Sequence, residues 1–569
     1  MLASTADPAP GSSAALLPRP ALFALLLVFA LIWFANIDYR RLIHPDEGRY
    51  AEIPREMVVT GDWLTPRLDG IKYFEKPALQ YWLTGLFYEA FGVRQWSARL
   101  WPALAGFLGV LFIGYVGLRL GGPRLGLNSA AALGGSAWYV LNAHILTLDA
   151  GLTFWMSVGM GALLLAQRSA ATARAERAWM LVGWAALALA VLSKGLIGAV
   201  LPAASLVVYS LTTRDWAVWR RLHPVAGLLL FLLIAAPWFI AVSWRNAEFF
   251  RFFFIHEHFE RFLTNEHHRE GAWWYFIPIF AVGILPWLTL FAWSARRTWT
   301  GATAGANGFC WQRYALVWSG FIFVFFSASG SKLPSYILPI FPALALVIGE
   351  ALTALDRRTL FRLALPLVIL SGVATLVAVF GYDALARRFV HEQAALAPVL
   401  AYGPWVAAAC AVALAGGVAG LAWIDAGRRT AAVLAFALTA QVAALLVLTG
   451  HDEFADARSA APILDRVVRQ RGPLDPGVPF YSVRMYDQTL PWYLGRTVTL
   501  VAHRDELALG LDLEPERAIA TLAEWRQRWA LANQAYAMMM TDMYDKLRNE
   551  GVPMHELGRD ARRVIVSRR

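Results

Sequence analysis

Charge is what this sequence has least of. Asp, Glu, Lys and Arg make up 16% of its 569 residues, against about 25% in a soluble globular chain. That excludes an ordinary water-soluble protein, and a mean hydropathy of +0.48 agrees. Cysteine is almost missing: Cys310 and Cys410 give neither a disulfide framework nor zinc-finger spacing, and Cys410, inside an apolar run, reads as a packing residue. No P-loop and no Gly-rich dinucleotide motif occurs, so no nucleotide cofactor is expected. No internal repeat is evident. No clear small-x-small cleavage site follows Ala21–Ala35, so that stretch reads as a first span with Arg19 inside rather than as a signal peptide. The net charge of +11 would suggest nucleic acid in a soluble protein. Here much of the excess sits in short loops between apolar runs, where orientation requires it, so no nucleic-acid partner is expected.

What the sequence has instead is repeated apolar runs of about 20 residues, the signature of a polytopic α-helical membrane protein. The runs are continuous rather than alternating, which excludes a barrel. Residues 1–18 read as a disordered cytoplasmic tail and 19–450 as the transmembrane domain. Besides the first span, runs at 98–118, 126–147, 150–167, 179–193, 195–212, 224–243, 273–293, 314–329, 333–354, 360–381, 399–424 and 430–449 predict about 13 transmembrane helices. Alternate loops carry arginines, among them Arg119 and Arg124, Arg174 and Arg177, Arg220 and Arg221, Arg296 and Arg297, Arg357 and Arg358, and Arg428 and Arg429. The positive-inside rule makes that side cytoplasmic, with Arg387 and Arg388 as the main exception. Two outer loops are long, 38–97 and 244–272. In the first, Tyr50–Thr60 and Pro77–Phe91 predict amphipathic helices lying in the membrane interface. From 451 to 569 the apolar runs stop and charge rises. Pro479–Val483, Thr497–Val501, Tyr536–Met540 and Arg563–Val566 predict strands, and Ala461–Arg471 and Asp542–Glu550 helices, hence a C-terminal α/β domain on the periplasmic side.

The chemistry-bearing clusters all fall at the outer ends of the apolar runs. His44-Pro45-Asp46-Glu47-Gly48-Arg49-Tyr50 holds two carboxylates, a guanidinium, an imidazole and a phenol. An interfacial helix cap explains such a cluster as readily as an active site does. Glu75-Lys76-Pro77 is either a solvated pair or a ligand pair: Lys76 for phosphate, Glu75 for a metal or a structural partner. Asp149 sits between two apolar runs with almost no loop, where an acid is costly unless it meets water or a partner. Lys194 repeats that geometry with opposite sign and could simply snorkel. In the run from His256 to Phe262, His-x-His invites zinc but fixes too few ligands, while Arg261 suits an anion. Lys332 and Tyr336, in Ser331-Lys332-Leu333-Pro334-Ser335-Tyr336, could be membrane anchors or phosphate donors. Taken together, Arg49, Lys76, Lys194, Arg261 and Lys332 on one face, beside Asp46 and Asp149, describe an outward-facing anion site. Phosphate fits it, since it accepts from several Lys and Arg at once. Without a nucleotide-binding domain, the phosphate carrier left is a lipid.

PDEGRYAEIPREM, with DWLTPRLDGIKYFEKPALQYW in the same loop, resembles the membrane-embedded C-type glycosyltransferases. Within them the chain is similar to the protein O-mannosyltransferase superfamily, and most of all to the lipid A aminoarabinose transferases. The resemblance covers residues 20–450 well and 451–569 loosely. It implies transfer of 4-amino-4-deoxy-L-arabinose from undecaprenyl phosphate to lipid A phosphate at the periplasmic face of the bacterial inner membrane, and with it resistance to polymyxin and other cationic peptides. It implies Asp46 as the leading catalytic carboxylate, with Asp149 and Glu47 as further candidates. Arg49, Lys76, Lys194, Arg261, Lys332 and Tyr336 become donor-phosphate ligands, and Tyr50 and Tyr73 line the substrate cavity. It also implies a zinc held by Glu75 and His256. Two rivals stay open: a related enzyme serving another lipid, glycan or protein, and a lipid or solute transporter. The second would place its charges near the midplane in broken helices, and here they lie at segment ends.

Overall fold

The computed structural model describes residues 18–260 and 271–569. The chain is a bundle of membrane-crossing helices carrying a mixed α/β domain on one end. Among the described residues, eight helices are long and apolar enough to cross a membrane, or nine if the bent pair Phe276–Gly283 and Leu288–Gly301 is one span. Thirteen were expected from hydropathy, and the shortfall has local causes. The run 126–147 is two helices, Pro123–Gly134 and Ala137–Ala143, interrupted at Gly135 and Ser136. The run 273–293 turns through 105° around Pro286, where proline can neither donate a backbone bond nor fit a straight helix. Arg19–Phe34 and Ile197–Thr213 are apolar but only 16 and 17 residues long. Trp311–Ala328 carries Gln312 and Arg313 in its first turn.

The elements that position the site are α1 (Arg19–Phe34), α2 (Asp46–Thr60), a small antiparallel hairpin of β1 (Arg67–Leu68) and β2 (Ile71–Lys72), α3 (Leu79–Phe91), α4 (Gln95–Gly121), α5 (Pro123–Gly134), α6 (Ala137–Ala143), α7 (Asp149–Ala166) and α8 (Ala173–Lys194). Gly61 closes α2 and Gly195 closes α8, both at positive φ (71° and 96°), a conformation glycine adopts without a Cβ penalty. The bundle core runs from Trp33 through Val140 and Met156 to Trp318 and Phe341, all buried. Leu229, Leu233, Ile369 and Phe380 are exposed on its flanks, as lipid-facing side chains should be. A mostly apolar crevice of about 540 Å³ between α1, α4, α5 and the Arg429–Gly450 helix has Tyr115 and Gln441 as the polar side chains in its walls, with no Asp, Glu, Lys, Arg or His among the described residues lining it.

The C-terminal domain is a six-stranded sheet in the order β5-β4-β3-β6-β8-β7. Its strands are β3 (Phe480–Val483), β4 (Thr499–Val501), β5 (Ala518–Ile519), β6 (Tyr536–Met540), β7 (His555–Arg559) and β8 (Arg563–Ser567). β3 pairs parallel with β4 and β6, β4 pairs parallel with β5, and β8 runs antiparallel to β6 and β7. The central strands are buried on both faces, Ala537, Met538 and Met539 completely so, as their unbroken apolar sequence requires.

One expectation about the first loop is corrected. α2 does not lie on the lipid surface: Glu47 through Met57 are all buried, because the C-terminal domain covers the helix. At Gly48 an added Cβ would meet the Gln488 carbonyl carbon at 2.5 Å, so only glycine lets the two backbones approach this closely. Tyr50, Tyr73 and Tyr81 share one apolar cluster with Leu148, just before α7, and with Trp492, Leu500 and Leu507 of the C-terminal domain.

Candidate active site

α2 begins the site. Asp46 and Glu47 occupy its first turn, where carboxylates suit the helix dipole, yet they do opposite things. Glu47 is completely buried. Arg40 reaches it at 2.6 and 2.7 Å and Arg99 at 2.9 and 3.0 Å, and the backbone N–H groups of Ile43 and Leu146 donate to it as well. Burial pushes its pKa up, but the charges of Arg40 and Arg99 outweigh burial and hold it below the usual carboxylate range. Both oxygens are committed, so Glu47 ties together α2, α4 and the segment before α7, and the sequence-level expectation of a catalytic part for it finds no open oxygen here. Asp46, one residue earlier, keeps a side chain 47% exposed and pairs among the described residues with Arg49 alone, at 3.4 Å. It is the carboxylate open to a substrate.

Arg49 lies one turn on and is buried. Its guanidinium stands over the rings of Tyr50 and Tyr73, at 5.7 and 5.8 Å from their centroids. Its ion-pair partner is Glu506 of the C-terminal domain, at 2.5 Å, and the other Glu506 oxygen accepts from the Gln488 amide at 2.5 Å. Tyr81 stacks against Tyr50. The Tyr73 and Tyr81 hydroxyls are buried without a hydrogen-bond partner among the described residues. Burial pushes both phenols up, with Arg49 opposing and Glu75 and Glu506 adding to the rise.

Glu75 and Lys76 follow β2. Lys76 Nζ donates to the Glu75 carbonyl at 2.9 Å and lies 3.8 Å from its carboxylate. Phe74, Ala78 and Leu79 pack against Ala188 and Leu192 of α8 and against Phe249 and Phe253. That packing ties the segment to α8, and the charge of Glu75 acts on Arg49, Tyr73, Tyr81 and Glu506. Lys194 pairs with Asp149 at the start of α7, and its ammonium lies 5.1 Å from the Tyr336 ring. So Asp149, Lys194 and Tyr336, from separate parts of the sequence, meet. Lys332 is buried and donates to the Ser329 carbonyl at 2.5 Å, which holds the turn before Tyr336. Arg261 lies outside the described residues. His256 falls in the helical turn Arg251–Glu260, but its side chain also lies outside them.

Sequence reasoning missed the contribution of the C-terminal domain. Arg504-Asp505-Glu506 reads as a solvated charge run, and nothing in its spacing signals that Glu506 would reach Arg49. It also missed Arg40 and Arg99, which sit in separate segments and lack a motif.

Comparison with known proteins adds to this geometry. Residues 466–568 match the aminoarabinose transferase C-terminal domain, and residues 20–253 match dolichyl-phosphate-mannose-protein mannosyltransferase. The crystal structure of ArnT from Cupriavidus metallidurans bound to undecaprenyl phosphate superposes with a TM-score of 0.90 at 36% identity, covering 97% of this chain and 99% of that one. The chain belongs to the ArnT family. The apo structure of the same ArnT gives a TM-score of 0.89. Among curated ArnT relatives, the undecaprenyl phosphate-alpha-4-amino-4-deoxy-L-arabinose arabinosyl transferase of Edwardsiella ictaluri is 30% identical over 400 residues, 67% of this chain and 70% of its own length. The Pseudomonas aeruginosa enzyme of that name is 34% identical over 368 residues, 62% of this chain and 65% of its own length. The chain is thus a multi-span membrane glycosyltransferase of the ArnT type, with the ArnT C-terminal domain attached.

Proposed function

We propose that this protein transfers 4-amino-4-deoxy-L-arabinose from undecaprenyl phosphate to a phosphate of lipid A, at the periplasmic face of the inner membrane. The observation that carries the reading is the likeness, over nearly the whole chain, to an ArnT crystallised with undecaprenyl phosphate. The arginine-rich alternate loops support the orientation. Cationic lipid A, and with it resistance to polymyxin-type peptides, would follow.

In this reading the C1–O bond to the carrier phosphate breaks as a lipid A phosphate oxygen bonds to C1. The leaving group is a phosphate, so it needs fixed positive charge more than a general acid. Lys76, Lys194 and Arg261 supply that charge, with Tyr336 as a further donor, and each charge-assisted contact contributes about 1.5–3 kcal/mol. Asp149 holds Lys194 in place. Lys332 supports the Tyr336 turn, and Arg49, balanced by Glu506, shapes the pocket rather than carrying the phosphate. The acceptor phosphate is already ionised near neutral pH, its second pKa lying near 6 by analogy with phosphoserine. Asp46 therefore orients and balances charge rather than removing a proton.

Zinc on Glu75 and His256 stays a proposal, for elemental analysis of protein purified without a His-tag. Of that pair only the Glu75 side chain is among the described residues, which gather no set of three His, Cys, Asp or Glu able to hold a metal. No step above depends on it. The test of the reaction is acceptor dephosphorylation. Lipid A stripped of its phosphates should accept no sugar although every hydroxyl is intact. Efficient transfer to it, or to a Ser/Thr peptide, would move the protein to the hydroxyl-modifying branch and make Asp46 a general base.

A further inference from the structure

Glu506 belongs to the site without belonging to the membrane bundle. It sits in the short turn Asp505–Leu507 of the C-terminal domain, anchored by Leu507 in the cluster that holds Tyr50, Tyr73 and Tyr81. Its Oε1 is fixed by Gln488. Its Oε2 lies 2.5 Å from Arg49 Nη2 but accepts no aligned hydrogen bond. Beside it are the two buried phenol hydroxyls without partners among the described residues, Tyr73 and Tyr81, 2% and 0% exposed. A buried polar group left unmet costs about 1–3 kcal/mol, so two such hydroxyls beside one carboxylate need a donor. Arg49 is one cation here, and Asp46, Glu506 and Glu75 all act on it or on its neighbours. Counting Lys76, 3.8 Å from Glu75, three carboxylates meet two cations among the described residues, an excess of negative charge that suits a cation. Lys194 stands apart from this cluster, at the end of α8, paired with Asp149.

We propose that Glu506, with the Tyr73 and Tyr81 hydroxyls, is the specificity determinant that reads the ammonium group of the donor sugar. The proposal rests on the transfer reaction above. An ammonium offers three donors and no acceptor, which matches two phenol oxygens and one carboxylate oxygen. A neutral hydroxyl in its place would keep the hydrogen bonds in part but lose the charge. Burial raises the Glu506 carboxyl, with Arg49 pulling it down and Glu75 pushing it up, and an arriving cation would favour its ionised form. Glu506 lies in the stretch 466–568 that matches the aminoarabinose transferase C-terminal domain, while Tyr73 and Tyr81 lie in the stretch 20–253 that matches a mannosyltransferase model.

The test compares two donors with the full-length protein: undecaprenyl phosphate bearing 4-amino-4-deoxy-L-arabinose, and the same lipid bearing L-arabinose. kcat/KM is measured for each with lipid A, and Tm reports folding. The wild type should prefer the amino sugar, and Glu506→Gln should lower that preference by about 10- to 100-fold. Glu506→Asp should restore part of it, and Tyr81→Phe should lower it less than Glu506→Gln. If both donors lose rate equally in Glu506→Gln, the residue is only a domain latch and the proposal is wrong. A wild type without preference overturns it too, while leaving the transfer reaction intact. A wild type that uses neither donor overturns the transfer reading itself. Should Glu506→Gln fail to fold, Tyr81→Phe decides by the same ratio.

Discussion

Two buried acidic clusters flank the same helix and are built on opposite charge balances. At the start of α2, one carboxylate, Glu47, meets two guanidiniums, Arg40 and Arg99. At its far end, Glu52, Glu56 and Asp69 are all buried with one guanidinium, Arg55. The second cluster faces the C-terminal domain. Arg55 donates to the Gly495 carbonyl, and Asp69 accepts from Val498 N–H at 2.7 Å. Burial, then Glu52, push Glu56 up to about 8, whereas Glu47 is held low. The difference assigns distinct tasks: the first cluster fixes helix geometry at any working pH, and the second makes domain docking depend on protonation.

Breaking the first cluster should have the largest effect. Glu47→Ala leaves Arg40 and Arg99 buried without a counter-charge, a loss of about 3–5 kcal/mol. Size-exclusion profiles and Tm in detergent should show a protein that no longer folds as one species. A Tm within a degree or two of wild type would remove Glu47 from the framework. Lys76→Ala comes next. It should keep the fold and lose about 10- to 100-fold in transfer rate, one charge-assisted contact, and full activity at matched expression would take Lys76 out of the site.

The smallest effect is the pH dependence of the second cluster, and its sign follows from the direction of the shift. A carboxyl raised to about 8 in the folded protein binds its proton more tightly there than when unfolded. Its contribution is whole below the unfolded carboxylate pKa and is lost as pH rises towards 8. Glu47, held low, contributes above the unfolded pKa and changes only in strong acid. Between pH 5 and 9, then, Tm should fall on the order of a few degrees, and Glu56→Gln should flatten that slope. A slope unchanged in Glu56→Gln would mean another group titrates.

Much of this was legible in the sequence, for identifiable reasons. Asp149, Lys194 and Tyr336, each singled out at the end of an apolar run, do meet, because a bundle brings neighbouring span ends close together. Four strands and two helices of the C-terminal domain fall within a few residues of expectation, since buried apolar runs and Gly551 mark their limits. β7 escaped because His555–Arg559 is a mostly exposed polar strand without alternation. The difference between Asp46 and Glu47 was not legible either. Two adjacent acids have one local pattern, and only Arg40 and Arg99, distant in sequence, decide which is buried. Glu506 was hidden for the same reason, since its role depends on how the C-terminal domain docks on α2.

The division of labour between the neighbouring carboxylates is the centre of the account, and Asp46→Asn tests it most directly. The variant should match wild type in Tm, because Asp46 is half exposed with one weak partner among the described residues. Its transfer from the aminoarabinose donor to lipid A should drop about 100-fold or more, on the scale of losing one preorganised electrostatic contact. Measured from pH 6 to 9, that residual rate should not climb, because the acceptor phosphate needs no deprotonation. A residual rate that recovers tenfold per pH unit would contradict the account and make Asp46 the base for a hydroxyl acceptor.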